Sequence, residues 1–180
     1  MTPRRGPLAR LVPRDPRGVA RLVTRATGLR AEVLGGSLVL TRTDCAVRTE
    51  TVRLLADRIA GGGEWEAVGG CPVDMPLDAD DFAVPDLLVR KAGAGGRPVL
   101  AVEVVSRAEK GRGLSGKAEW YAAAYLPLLL VVDPREGRWS LCSGPDGAAF
   151  TRTGQGVYGE AAVLPAPFAG AVPTAGLPVH

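Results

Sequence analysis

Glu103 stands in the middle of the most apolar strand-like run of the chain, residues 99–105. Burying an ionised carboxylate without a partner costs several kcal/mol or more, so such a group must be neutralised, paired or bound to a metal ion. Asp86 lies seventeen residues upstream, at the head of a second apolar run, residues 87–89. Turn-forming residues separate the two runs, which is typical of a hairpin.

The register of that hairpin decides how the two carboxylates meet. An antiparallel pair of strands centred on Ala94 and Gly95 would place Asp86 directly opposite Glu103. Cross-strand partners on one face have Cβ atoms about 5 Å apart, and like charges at that distance repel each other. We therefore expect a cation between Asp86 and Glu103.

Lys117 lies in the next predicted helix, where Tyr121 follows it by one turn. Two carboxylates that converge on one cation beside a lysine form the kind of site that cleaves phosphodiester bonds. Carboxylate oxygens bind hard divalent ions, so Mg²⁺ is the expected metal and Mn²⁺ a substitute. The ion would activate a water molecule while the lysine stabilises developing charge, which makes Asp86, Glu103 and Lys117 the predicted catalytic residues.

Composition limits the alternatives. The chain has 180 residues, of which 46% are apolar and 5% aromatic, which suits one domain. A net charge of +3 permits binding to a polyanion without arguing for it. Three cysteines without C-x-x-C spacing, no signal-like segment and no apolar run long enough for a bilayer predict a cytoplasmic protein with no membrane contact. The only histidine is His180, which excludes a Ser-His-Asp triad or a histidine-rich metal site within this chain.

The elements that must position these residues follow from periodicity and turn signals. In the N-terminal half, the pattern predicts a helix over 16–27 closed by Gly28, a hairpin of 29–34 and 37–41, and a helix from an Asp44 N-cap to about residue 60. An irregular segment or one edge strand is predicted over 65–85, followed by the central hairpin of 86–91 and 98–105. The C-terminal half is predicted to contain a helix from 109 or 110 to 125, a buried strand over 128–133, and a hairpin of 138–142 and 148–153. The apolar stripe predicted for the second helix is Val47, Val52, Leu55, Ala56 and Ile59. This order indicates an α/β fold with a mixed β-sheet flanked by helices.

Four motifs in order resemble a known family. They are Val84-Pro85-Asp86-Leu87-Leu88-Val89, then Val102-Glu103-Val104-Val105-Ser106, then Lys117-x-x-x-Tyr121, then Val131-Val132-Asp133-Pro134. Together they resemble the Uma-two family, a branch of the restriction-endonuclease-like PD-(D/E)XK superfamily. The resemblance runs from about residue 29 to residue 164. It implies three segments: an N-terminal arm with a short helix over 1–28, a nuclease-like domain over 29–164, and a Pro/Ala-rich tail over 165–180 that we expect to pack as coil.

The resemblance also implies roles for individual residues. Asp86 matches the metal-binding aspartate of the PD element, and Glu103 matches the acidic residue of the (D/E)XK element. Val105 occupies the usual lysine position, and Lys117 matches the lysine that this family carries on the helix instead. Glu32 matches an upstream acidic residue that often joins the metal ligands.

The implied activity is Mg²⁺-dependent hydrolysis of nucleic acid, with DNA favoured, and a homodimer is expected because nucleases that cut both strands often act in pairs. One departure bears on that activity. Family members commonly carry an aspartate four residues before the helix lysine, and here the residue is Gly113. A second hypothesis therefore stays open, that of a nuclease-fold binding protein with weakened or lost activity.

A third hypothesis comes from residues 111–118, which nearly spell the phosphate-binding loop of nucleotide hydrolases. Ala118 replaces the hydroxyl residue that would bind Mg²⁺ there, so this interpretation ranks last. Around the site, Tyr121 is expected to pack as an aromatic on the inner face of its helix. Arg107, Lys110 and Arg112 are expected to lie in a solvated loop, with contact to a nucleic-acid backbone as the less favoured interpretation.

Overall fold

A computed structural model describes residues 15–76, 78–93, 95–107 and 112–180, without the side chains of 112–115. The helices are α1 (Pro16–Thr27), α2 (Ala46–Ala60) and α3 (Arg112–Ala123). The strands are β1 (Arg30–Leu34), β2 (Ser37–Thr41), β3 (Trp65–Val68), β4 (Val73–Asp74), β5 (Phe82–Ala83), β6 (Leu87–Lys91), β7 (Pro98–Val104), β8 (Leu128–Asp133), β9 (Arg138–Pro145), β10 (Phe150–Val157), β11 (Ala162–Leu164) and β12 (Gly170–Val172). None of the helices in the described ranges has the length and apolar character to span a bilayer.

The central sheet has six strands in the order β10-β9-β8-β7-β6-β3. Its neighbours are antiparallel except β7 and β8, which run parallel. A parallel pair needs a crossover connection, and α3 supplies it. A second sheet, β2-β1-β5-β4, carries the N-terminal hairpin. The mixed sheet flanked by helices that the sequence predicts is confirmed.

The two faces of β7 pack against different elements because side chains alternate along a strand. Leu100, Val102 and Val104 enter the larger core cluster, where Leu55 of α2 also lies. Ala101 points the other way, into a smaller cluster with Tyr121 of α3. By the same alternation, Glu103 lies on the α3 side of the sheet.

The central hairpin has the predicted register close to the carboxylates. Leu87 pairs with Val102, and Leu88 pairs with Ala101, so Asp86 is the next residue along and faces Glu103. A β-bulge between Val89 and Arg90 shifts the register toward the turn. The bulge lies on the turn side of Leu87 and Leu88, so it does not change the register next to Asp86 and Glu103. The predicted register at this end of the hairpin is confirmed.

Several local predictions are also confirmed. Helix α1 has the predicted bounds, with Asp15 as N-cap and Gly28 as C-cap. Leu34 pairs with Ser37 across Gly35 and Gly36, whose φ angles of 58° and 72° require a residue that tolerates the left-handed region. This tight turn fixes the hairpin that carries Glu32.

Other local predictions are wrong. The N-cap of α2 is Cys45, without a side-chain hydrogen bond. The Asp44 carboxylate instead accepts hydrogen bonds from the guanidinium group of Arg42. The segment 65–85 contains three short strands: β3 pairs with β6, β5 pairs with β1, and β4 pairs with β5. Strand β9 runs on to Pro145 and β10 covers Phe150–Val157, so their turn lies later than predicted.

Two further boundaries concern α3 and the C-terminus. The predicted start of α3 at 109 or 110 lies outside the described residues, and the helix is described from Arg112. The coil expected after residue 164 is wrong, because β12 pairs with β11. Phe168, Val172 and Leu177 are buried in the larger core cluster, which explains why this apolar segment does not remain a loose tail.

Candidate active site

Asp86 lies immediately before β6, where it accepts three hydrogen bonds. Its Oδ1 accepts from Arg48 and, at 3.2 Å, from Nη1 of Arg30. Its Oδ2 accepts from the backbone N–H of Val104 at 2.7 Å. The carboxylate is therefore tied to the neighbouring strand β7 as well as to two guanidinium groups.

Glu103 is 3% exposed and also has three side-chain neighbours. Its Oε1 accepts from the Tyr121 hydroxyl at 2.6 Å and from Nζ of Lys117 at 3.1 Å. Its Oε2 lies 3.9 Å from Nη1 of Arg30. Burial raises the pKa of Glu103 above its ordinary value, whereas Lys117 and Arg30 act to lower it. The cation expected between Asp86 and Glu103 is thus Arg30, which contacts both.

Glu32 is completely buried on β1. Its Oε1 accepts from the backbone N–H of Val84 at 2.7 Å and lies 2.8 Å from Nζ of Lys117. Its Oε2 is buried without a hydrogen-bond partner among the described residues. An acceptor atom in that state costs free energy, so it is the natural place for a further cation or a water molecule to bind.

Lys117 links Glu32 and Glu103 rather than Asp86 and Glu103. It projects from α3, one turn before Tyr121, so both side chains reach the same carboxylate. The phosphate-loop hypothesis is wrong on this evidence, since residues 112–116 are helical and the lysine is held by two buried carboxylates. A phosphate-binding loop needs open backbone N–H groups at that point.

Sequence reasoning missed the roles of three residues that contact these carboxylates. Arg48 is 3% exposed on α2, where it contacts Asp86 and donates to the carbonyl of Arg42. The predicted stripe of α2 is incomplete, because the buried positions include Arg48 and Thr51. Arg48 is a charged residue at a core position of its helix, just as Glu103 is a charged residue in an apolar strand, so its sequence position could have indicated a buried ion pair.

Arg30 could have been found by alternation, since it lies two residues before Glu32 on one strand and so shares its face. Tyr121 is buried, as expected, but it is more than a packing aromatic because its hydroxyl donates to Glu103. Burial and the neighbouring Glu103 raise the pKa of Tyr121 well above its ordinary value. Tyr121 therefore acts as a hydrogen-bond donor at this site.

The buried cluster contains three carboxylates and three basic side chains. We call it the charge cluster; its members are Arg30, Glu32, Arg48, Asp86, Glu103, Lys117 and Tyr121. Basic groups face every carboxylate, which is the arrangement that buried ions need. No three His, Cys, Asp or Glu residues within the described ranges are grouped as metal ligands.

The donor chemistry nevertheless fits a divalent cation. Carboxylates of this kind supply the hard oxygen ligands that Mg²⁺ and Mn²⁺ take. Glu32 Oε2 lacks a hydrogen-bond partner, and Glu103 Oε2 has only the 3.9 Å contact to Arg30 in the described part of the chain. Arg30 holds the position between Asp86 and Glu103, so a metal ion bound by that pair would replace it there.

The remaining predicted residues lie outside the contacts described above or outside the described part of the chain. Gly113 falls within α3, at the point where family members commonly have an aspartate. Arg107 is exposed, as expected. Lys110 lies outside the described residues, as does the side chain of Arg112. The described carboxylates of the site are therefore Glu32, Asp86 and Glu103.

A family model matches most of the chain. Residues 19–174 match the model of the Uma2 family, whose description is "Putative restriction endonuclease". The chain belongs to this family. The matched range includes the whole charge cluster and extends beyond the predicted domain boundary at residue 164. The resemblance inferred from four short motifs is confirmed.

One solved structure supports the fold. The crystal structure of a putative nuclease belonging to DUF820 from Anabaena variabilis ATCC 29413 is similar, with a TM-score of 0.63 and 15% identity over 79% of this chain and 85% of that one. The DrdV–DNA complex, determined by cryoEM, has a TM-score of 0.42 and 14% identity over 78% of this chain and 12% of that one, which is too distant to carry an argument. No curated protein matches the sequence.

Proposed function

We propose that this Uma2-family chain is a metal-dependent endonuclease that hydrolyses phosphodiester bonds of nucleic acid, with DNA as the favoured substrate. The observation that supports the proposal most is the meeting of Asp86, Glu103 and Lys117 in one buried cluster at the end of the β6–β7 hairpin. Burying so many charges costs free energy, and core residues of an ordinary domain would avoid that cost. Functional sites commonly retain such costs.

In this proposal Asp86 and Glu103 hold Mg²⁺, with Mn²⁺ as a substitute, and Glu32 is the third ligand. The bound ion would polarise a phosphoryl oxygen and lower the pKa of a coordinated water molecule. Lys117 would lie beside the phosphate and stabilise developing negative charge. Tyr121 would keep Glu103 in position through its hydrogen bond, and Arg30 would be released from the carboxylates to contact the substrate phosphate.

The test combines cleavage with metal binding. Purified protein is incubated with supercoiled plasmid and with labelled DNA and RNA strands in Mg²⁺, Mn²⁺ or EDTA, and Mn²⁺ binding is measured by isothermal titration. We expect cleavage in either metal, none in EDTA, and loss of both cleavage and Mn²⁺ binding in Asp86→Asn and Glu103→Gln. Asp57→Asn and Glu136→Gln are matched controls, because both carboxylates are exposed and pair with arginines outside the cluster.

Activity that survives both site substitutions would contradict the proposal, as would wild-type protein that neither cuts nor binds Mn²⁺. Homodimer formation stays a prediction, and light scattering on a sizing column with and without DNA measures it directly.

A second function is favoured by one observation. Arg30, Arg48 and Lys117 pair with the three carboxylates and so can balance their charge, and Gly113 supplies no further carboxylate. A nuclease-fold protein that binds nucleic acid without cutting it fits these facts. In the same experiment such a protein would bind no Mn²⁺ and leave the labelled strand intact. A native gel in EDTA would show it bound to that strand.

A further inference from the structure

A cavity of about 540 Å³ adjoins the charge cluster. It lies between α1, β1 and the segment that leads into β6, and Arg30 and Asp86 form part of its wall. Its volume is within the range of ligand-binding pockets, about 300 to 1,000 Å³. Phe82 and Val84 contribute an apolar surface to the same wall. The cavity therefore leads from the surface of α1 to the candidate metal ligand.

One face of α1 brings a row of arginines to this cavity. Arg17, Arg21 and Arg25 are spaced by four residues, so they lie one above another along the helix, and all three line the cavity. Asp86 is the one acidic residue among the described lining residues, and Arg30 and Arg48 already pair with it. The cavity thus has a surplus of positive charge.

The three arginines differ in what they already contact. Arg17 is occupied: it pairs with Asp74 at 2.8 Å, donates to two backbone carbonyls and lies 4.9 Å above the Phe82 ring. Within the described ranges, the ion pair of Arg21 is a 4.0 Å contact to the exposed Asp15, a kind of pair that water weakens strongly. No described carboxylate lies within ion-pair distance of Arg25. Arg21 and Arg25 are therefore the two guanidinium groups available to a ligand.

We propose that this cavity docks a nucleic-acid strand whose phosphates bind Arg21 and Arg25 while its sugars and bases pack against the apolar wall. Guanidinium groups suit this task because their planar fork matches the oxygens of a phosphate. Arg30 and Asp86 line the same cavity, so a strand held in it lies beside the charge cluster. This inference rests on the proposed function, since it names the surface that presents the substrate to that site.

Fluorescence anisotropy with a labelled single-stranded oligodeoxynucleotide, measured in EDTA, tests the docking surface without any cleavage. The double variant Arg21→Ala/Arg25→Ala should bind on the order of tenfold more weakly, and the slope of log affinity against log salt should fall by about 1.4, since each lost phosphate contact on a single strand removes about 0.7. Arg152→Ala is the matched control, because Arg152 is an exposed arginine on β10 that does not line the cavity. It should leave affinity and slope unchanged.

Arg21→Lys/Arg25→Lys separates charge from geometry. This variant should keep the wild-type salt slope but bind more weakly than wild type, because lysine lacks the planar fork. Thermal unfolding of each variant checks that the fold is intact, which exposed positions on α1 should permit.

The outcomes separate this inference from the proposed function. A reduced slope in the alanine variant alone supports docking even if no cleavage is ever detected. Equal slopes in the alanine variant and the wild type overturn docking, whether or not the protein cuts. Competition by inorganic phosphate or a mononucleotide at the concentration of the strand would also overturn it, since the cavity would then be a small-anion site. Tighter binding of RNA than of DNA supports the docking surface and assigns it an RNA strand.

Discussion

Two arginines on α2 show how strongly burial changes the meaning of an ion pair. Arg48 is 3% exposed and pairs with Asp86, whereas the side chain of Arg53, five residues later, is 56% exposed and pairs with Glu50 at 2.7 Å and Asp57 at 2.8 Å. The distances are those of good ion pairs in both cases. The difference is that water surrounds the Arg53 pairs and screens them, while Asp86 has few alternatives to its protein partners.

The comparison shows that the importance of a charge cannot be judged from geometry alone. Loss of one member of a buried pair leaves the other without a counter-charge in a poorly solvated place. Loss of one member of an exposed pair returns the other to water at little cost. The predictions below test whether the charge cluster behaves as a buried network of this kind.

Lys117→Met should have the largest effect on stability. It leaves the buried carboxylates of Glu32 and Glu103 without their shared amino group, so we expect the free energy of unfolding to fall by about 3–5 kcal/mol, as for other broken buried pairs. Urea denaturation followed by circular dichroism measures the change. Lys91→Met is the control, because Lys91 is exposed and lies 3.9 Å from an exposed Glu64. Equal stability of the two variants would mean that the cluster is solvated.

Arg48→Met should come next, with a loss of about 3 kcal/mol, because Asp86 would lose one of its two guanidinium partners in a buried position. The effect is expected to be smaller than for Lys117, since Arg30 and the Val104 N–H still reach Asp86. The same denaturation experiment measures it. A variant as stable as wild type would show that Arg30 alone neutralises Asp86.

Tyr121→Phe should cost about 2 kcal/mol, the usual value for a hydrogen bond to a charged group. The ring still fills its place in the core, so only the 2.6 Å contact to Glu103 is lost. Because that donor helps to lower the pKa of Glu103, its removal should raise the pKa further. Infrared titration of the buried carboxyl group measures this shift. An unchanged pKa would argue against any influence of Tyr121 on Glu103.

Glu103 should also give the protein a pH dependence that Glu103→Gln lacks. Burial raises the pKa of Glu103 above its ordinary value of 4.5, so the folded state holds this proton more tightly than the unfolded state. The unfolding free energy of wild type should therefore fall, relative to Glu103→Gln, as the pH rises from 4.5 through the folded pKa, and then level off. Denaturation curves of both proteins across this range provide the measurement. Parallel curves would show that Glu103 titrates normally.

Arg53→Met should have the smallest effect, with no measurable change in the urea midpoint at moderate salt. Its ion pairs with Glu50 and Asp57 are exposed, and salt screens such pairs. A destabilisation equal to that of Arg48→Met would remove the distinction between the two arginines.

The part of the site that could be predicted from sequence is the part set by local rules. Alternation along two strands and a turn between them were enough to bring Asp86 opposite Glu103, and helical spacing was enough to connect Lys117 with Tyr121. Each of these relations depends on one element or on neighbouring strands. The family motifs follow the same local spacings, which is why they could be recognised.

What the sequence did not reveal depends on contacts between distant elements. Arg48 and Asp86 are thirty-eight residues apart, and only the packing of α2 beside the sheet brings them together. The short strands β4 and β5 have two residues each, too few for a periodic signal. The C-terminal segment joins the core through contacts such as that of Phe168 with Trp65, whose ring centroids lie 5.0 Å apart although more than a hundred residues separate them in sequence.

The charge cluster draws its members from β1, α2, the residue just before β6, β7 and α3, none of which holds more than two of them. No fragment of the chain can therefore complete the cluster, and a folding intermediate that lacks any one of these elements contains charges without partners. Folding to the closed cluster should be cooperative for that reason, with partly assembled forms too unfavourable to accumulate. The residues to which we assign the chemistry therefore also make folding depend on the correct assembly of all these segments.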